Sequence, residues 1–204
     1  MSTAIETLMN EHRVIERVLA ALEAAALETR EGAPLERSRV AEFADFFRNF
    51  ADTCHHGKEE DLLFKKMVDS GFPAGQGPIA VMLFDHKAGR EHVGVLRAIG
   101  SGSGPLTDEE RAAFIEEADA YVAMLRQHIL KEDRVLYPMA LQVIAPAEMT
   151  RLAAAFDDFE SHVMGAGVHE GFHRLADTLI AAYSAKPANP GAVAHAGCGC
   201  HGHS

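Results

Sequence analysis

Apolar side chains recur along the chain at helical spacing. Ile5, Leu8, Met9, His12, Ile15, Leu19 and Leu22 fall at i, i+3 and i+4 intervals and draw one stripe. The stripe predicts a first helix over about Thr3 to Thr29, ended by Glu31, Gly32, Ala33 and Pro34. A second helix follows from about Leu35 to Ser70 or Gly71, with Val40, Phe43, Phe46, Phe47, Phe50, Leu62 and Phe64 on its apolar side. Beyond a loop rich in Gly and Pro, IAVMLFDHKAGREHVGVLRAI reads as a third helix and GSGSGPL, at 100–106, as a flexible connector. Thr107 and Glu110 form a capping box that opens a fourth helix, running through Phe114, Tyr121, Leu125 and Ile129 to about Tyr137. Pro138 should kink it there or restart it. Two shorter helices are expected, one after Pro146 and one from about Val168 to Tyr183; from Lys186 the composition turns to that of a disordered tail. Strand patterning is negligible. Long helices joined by short loops predict an all-α protein: an antiparallel up-down four-helix bundle over residues 1–144, a helical extension packed on it at 145–185, and a flexible Cys/His-rich tail at 186–204.

Composition narrows the function. An apolar fraction of 48% is ample for a packed core, and a net charge of −11 without a basic cluster opposes binding to nucleic acid or an anionic membrane. Cys54, Cys198 and Cys200 cannot make the disulfide framework of a small secreted domain, and the charged amino terminus is not a signal peptide. No run has the length of a transmembrane span, so a cytoplasmic protein is expected. Twelve histidines in an acidic chain turn the search toward metals.

An internal repeat carries the chemistry. HHGKEEDLLF at 55–64 aligns without gaps on HILKEDRVLY at 128–137, matching His55 to His128, Lys58 to Lys131, Glu59 to Glu132 and Phe64 to Tyr137. More weakly, MNEH at 9–12 aligns on LFDH at 83–86, so the first and third helices each carry one His, His12 or His86, preceded by a carboxylate. Positions i and i+4 share a helix face, so His55 with Glu59 and His128 with Glu132 can aim at one interior point. Buried carboxylates and imidazoles are costly without partners, a cost that a pair of dications offsets. Four His and two Glu suit first-row transition metals, iron first, and two carboxylates able to bridge suggest a two-metal centre. His precedes Glu by four here, unlike the Glu-x-x-His of ferritin-like proteins.

These motifs, with NEH at 10–12, GPIAVMLFDHKAGR at 77–90 and HILKEDRVLYPMA at 128–140, resemble those of bacterial hemerythrin-like proteins of the HHE cation-binding family. The resemblance spans about residues 4–144, and FESHVMGAGVHEGFH at 159–173 resembles a carboxy-terminal extension of one bacterial subgroup. It implies a hemerythrin-like four-helix bundle with an oxo- or hydroxo-bridged pair of iron ions, held by His12, His55, Glu59, His86, His128 and Glu132, the two Glu bridging. Manganese or a mixed pair would accept the same ligands. The second helix-three His of the oxygen carriers is replaced by Arg90, which argues against reversible oxygen carriage, and a usual Pro is Lys65 in the first repeat.

Other residues have two readings each. His56 with Glu60 repeats the spacing of His55 with Glu59, although the repeat places Ile129 opposite His56. Cys54 reads as a small buried hydrophobe rather than a redox thiol, and His92 as off the ligand face or as a residue behind a ligand. His169 and His173 have ligand spacing but read first as packing residues; Tyr121 and Tyr137 are core aromatics or hydrogen-bond donors to a metal site. His195, Cys198, Cys200, His201 and His203 could surround a soft or borderline ion. The expected function is binding or reduction of dioxygen, peroxide or nitric oxide at an open iron position, in sensing or detoxification, with a redox partner unspecified. The alternatives are a non-enzymatic iron or oxygen sensor and a metal-handling protein whose tail passes ions. On the first reading, Arg90 should line an accessible pocket.

Overall fold

The computed structural model describes residues 3–165 and 167–183, so the Cys/His tail lies outside the described residues. Helix α1 is Ala4–Arg30, opened by a capping box in which Thr3 and Glu6 satisfy each other's backbone N–H groups. Helix α2 runs without interruption over residues 37–69, α3 is Pro78–Gly100, and α4 spans residues 108–143 behind the Thr107–Glu110 box. Each packs against its chain neighbours, and α4 closes the ring on α1, giving the four-helix bundle. Helix α5, Pro146–Phe159, lies against α1, and α6, Val168–Tyr183, against α1 and α2. No described residue is in a strand.

Two features depart from the expected helices. Pro138 neither ends nor restarts α4: the chain widens into a π-helical turn at Glu132–Leu136, where the Tyr137 N–H donates to the Glu132 carbonyl, and continues to Val143. Helix α2 makes the matching turn at Glu59–Leu63, closed by the Phe64 N–H on the Glu59 carbonyl, although Lys65 stands where the second repeat has Pro138. The wide turn therefore goes with the Glu and not with the proline. The connector at 100–106 is also pinned: Arg37 donates to the carbonyls of Ile99, Gly104 and Pro105 and to the Glu110 carboxylate. Removing these charge-assisted bonds in Arg37→Ala is expected to free the connector and lower the midpoint of thermal denaturation.

Two apolar clusters fill the bundle. One, with Leu19, Phe43, Phe47, Leu96, Phe114 and Leu125, occupies the half that α6 covers. The other, with Leu8, Leu63, Met67, Met82, Leu136 and Phe156, occupies the half that α5 covers. Between them lies a polar layer, at most 4% exposed, of Glu11, His12, His55, His56, Lys58, Glu59, His86, His128 and Glu132. Such a layer between two apolar clusters requires an internal partner for every charge.

Candidate metal centre

The structure brings all six residues of the predicted set into this layer: His12 from α1, His55 and Glu59 from α2, His86 from α3, and His128 and Glu132 from α4. Glu132 lies between two imidazoles, with Oε2 3.2 Å from His12 Nε2 and Oε1 3.2 Å from His128 Nε2. Glu59 Oε2 is 3.7 Å from His55 Nε2 and 3.5 Å from His86 Nε2. Two groups that could hold a metal ion result, His12, His55, Glu59 and Glu132 on one side, and His56, Glu59, His86 and His128 on the other. Within each group the donor atoms lie within 4.8 Å of one another.

His56 joins these six in the layer, so His55 and His56 both face it. Adjacent residues of an ordinary α-helix diverge by about 100°. Phe47–His56, however, is π-helical, and a turn closed by i→i+5 bonds holds more residues, so neighbours diverge less. The repeat hid His56 because its counterpart is Ile129. Glu60, by contrast, stays outside the layer and accepts from His86 Nδ1 at 2.7 Å.

That contact belongs to a pattern. Every imidazole of the layer turns Nδ1 to a carboxylate: His12 to Asp133 at 2.8 Å, His55 to Glu11 at 2.8 Å, His56 to Asp52 at 3.4 Å, His86 to Glu60 at 2.7 Å and His128 to Asp85 at 3.3 Å. Each carboxylate is in turn held by a cation: Asp133 by Arg13, Glu11 by Lys58, Asp52 and Glu60 by Arg90, and Asp85 by Lys131. The network assigns the proton to Nδ1 and turns the Nε2 lone pair inward, as metal-ligating histidines are arranged. It also explains the repeat, since Lys58 and Lys131, Glu60 and Asp133, and Glu11 and Asp85 play paired roles in the two halves. Arg90 thus steadies His56 and His86 through their carboxylates, besides lining a pocket as expected.

The two halves differ at Tyr137, the counterpart of Phe64. Its hydroxyl donates to Glu59 Oε1 at 2.7 Å and lies 3.3 Å from His12 Nε2, which makes it a donor at the centre. Tyr121 takes the other reading and packs edge-on against Phe47 in the core. His92 sits away from the layer with Glu117, and burial pushes the Cys54 thiol up to about 12, leaving it inert. His169 and His173 stand over Phe50 with their Nε2 atoms 3.0 Å apart. His169 also groups with Glu11, Cys54 and Glu160, but the Lys58 ammonium already bridges both carboxylates there.

The donor set fits metal cations. His55 Nε2, Glu59 Oε2 and both Glu132 oxygens are buried without a hydrogen-bond partner, and all belong to the inner ring. Burial holds His55 and His56 well below the ordinary imidazole range, so their Nε2 lone pairs are available at neutral pH. Burial and the Glu132 charge push Glu59 up, whereas His128 and His12 overcome burial and hold Glu132 well below the usual carboxylate range. Two carboxylates this close do not ionise independently, so one is pushed up while its imidazole neighbours hold the other down. Residues 3–140 match the Hemerythrin HHE cation binding domain. The chain belongs to that family. It is also 26% identical over 177 residues to uncharacterized proteins of Mycobacterium bovis and of two Mycobacterium tuberculosis strains, covering 87% of this chain and 68% of theirs. No solved structure is a significant match. No helix among the described residues of this HHE-family chain is long and apolar enough to cross a membrane.

The carboxy-terminal helices clasp the ligand segment. Lys58 donates to Glu160 at 2.5 Å, and Gly57, between His56 and Lys58, lies under the Phe159 ring. A Cβ at Gly57 would stand 2.7 Å from Phe159 Cζ. In Gly57→Ala, overpacking of about 1–3 kcal/mol opposes a helix-propensity gain of about 0.5–1 kcal/mol, so a net loss of thermal stability is expected. In a Phe159→Ala background the same change should stabilise; a loss of equal size there would show that the ring is not the obstacle.

Proposed function

We propose that this HHE-family chain is a non-haem di-iron protein that binds or reduces a small ligand, dioxygen, peroxide or nitric oxide, at an open metal position. One observation carries the reading: two donor groups share Glu59, and Glu132 reaches imidazoles of both. His12, His55, Glu59 and Glu132 would hold one ion, and His56, His86 and His128 with the same two carboxylates the other. Iron so held supplies one-electron redox chemistry and an open coordination position. The side with only two imidazoles has the more room for an outside ligand, and there the Tyr137 hydroxyl would hold Glu59 in place through its bond to Oε1. The apolar clusters on either side exclude bulk water from the layer. Manganese or a mixed pair remains compatible with the donors.

Metal analysis with the electronic spectrum, before and after anaerobic reduction, tests the reading. Two irons per chain, a near-ultraviolet band that bleaches on reduction, and its return with a defined stoichiometry of oxidant are expected. Absence of stoichiometric iron after reconstitution would reject it. A sensor is the second reading, favoured by Lys58, which ties Glu160 of the extension to Glu11 and so to His55. A sensor should change the protease sensitivity of the extension with metal state and show no turnover.

A further inference from the structure

Between α2 and α3 a pocket of about 250 Å³ opens beside the polar layer, with His56 at its inner end. It is lined by Arg48, Arg90 and Arg97 against a single carboxylate, Asp52, although the chain as a whole carries −11. Arg90 is committed to Asp52 and Glu60. Arg48 and Arg97 have no ion pair or side-chain hydrogen bond among the described residues, so two guanidinium groups are left over at the rim. Tyr121, 2% exposed, also lines the pocket and its hydroxyl has no hydrogen-bond partner. The hydroxyl is not sealed from solvent, so it opens into the pocket, where it is a donor available to a bound ligand.

We propose that this pocket binds a small inorganic oxyanion, held by the Arg48 and Arg97 guanidinium groups and by the Tyr121 hydroxyl, next to but not on the metals. These free groups are donors, and an acceptor-only ligand with several oxygens is what donors of this number and charge complement. The one lining carboxylate, Asp52, is paired with Arg90, which it shares with Glu60, and the Arg48 and Arg97 charges outweigh it. The volume admits an ion of the size of nitrite, nitrate or phosphate together with water. An anion here would compete with Asp52 for Arg90, and Asp52 is the carboxylate behind His56. The site needs no metal and stands whether or not the di-iron reading holds.

Calorimetric titration of the full chain, as purified, with sodium nitrite and separately with inorganic phosphate, at fixed ionic strength, tests the proposal. Saturable binding of at least one of them at one ion per chain is expected, and the preference between them tells a monoanion site from a dianion site. Arg48→Gln with Arg97→Gln should weaken it by at least about tenfold, and Tyr121→Phe, which keeps the ring against Phe47, by several-fold. Both arginines are exposed, so the double variant should fold. Binding of equal strength in the double variant would place the ion on a metal or make it an adventitious ion only, and would overturn the proposal, as would no saturable binding of either anion.

Discussion

Replacing Glu59 by Ala is expected to bring the bound metal from two ions per chain to one or none. The side chain is fully buried, belongs to both donor groups, and has an oxygen with no other partner. On the di-iron reading, its loss would remove a ligand from both ions and a negative charge from a site that would have to neutralise two dications. Loss of an outer-layer partner costs about 10–100-fold in metal affinity, and removal of a shared inner carboxylate should cost more. Glu132→Ala should behave alike, since its two oxygens face His12 and His128 on opposite sides. Glu59→Gln keeps one ligating oxygen and should retain more metal than the Ala variant. Cys54→Ser, buried beside the layer, should leave the metal content unchanged. Mass spectrometry of the metals, alongside circular dichroism to establish that the helices are intact, decides the matter. Two tight ions in folded Glu59→Ala and Glu132→Ala would remove both carboxylates from the centre.

Much of this centre was legible because the two halves of the bundle repeat. The gap-free match of residues 55–64 to 128–137 placed both His–Glu pairs, and the weaker match of 9–12 to 83–86 added His12 and His86. The same alignments held the outer layer in plain sight, through Lys58 with Lys131 and Glu11 with Asp85, but a charge beside a ligand carries no sign of its direction until the helices are assembled. Helix periods were equally readable, down to Val168–Tyr183.

What escaped the sequence depends on backbone geometry or on contacts between distant segments. His56 enters the layer because the turn around it is π-helical, and a pattern read with a period of 3.6 places it off the face. The continuation of α4 past Pro138 has the same origin. The clasp of Phe159 on Gly57 and Glu160 on Lys58 joins residues about a hundred positions apart, with no local signal in either segment.

Removing the metals should destabilise the fold more than any single substitution considered above. Two buried atoms of the inner ring, His55 Nε2 and Glu59 Oε2, would then have no partner, and the Glu132 oxygens would be left with the His12 and His128 imidazoles alone. At about 1–3 kcal/mol for each buried polar atom left unsatisfied, the loss from those two atoms is about 2–6 kcal/mol, a large share of a domain's stability of about 5–15 kcal/mol. A drop of about 10 °C or more in the midpoint of thermal denaturation is expected on chelation, restored by stoichiometric iron. Protons can replace part of the missing charge, which fixes the direction of the pH dependence. Burial lowers the His12 pKa, but Asp133 and Glu132 outweigh it and raise the group from 6.5 to about 9. A group raised on folding stabilises fully below its unfolded value and loses that contribution as pH climbs through the folded one. Glu59, raised above 4.5 by burial and by Glu132, acts with the same sign at lower pH. The metal-free chain should therefore melt at a lower temperature at pH 9.5 than at pH 6.5, whereas the metal-loaded chain, whose imidazoles are already deprotonated ligands, should show a smaller change over that interval. Denaturation of both forms at the two pH values checks this, and equal midpoints with and without metal would mean that the buried ring is satisfied by the protein alone.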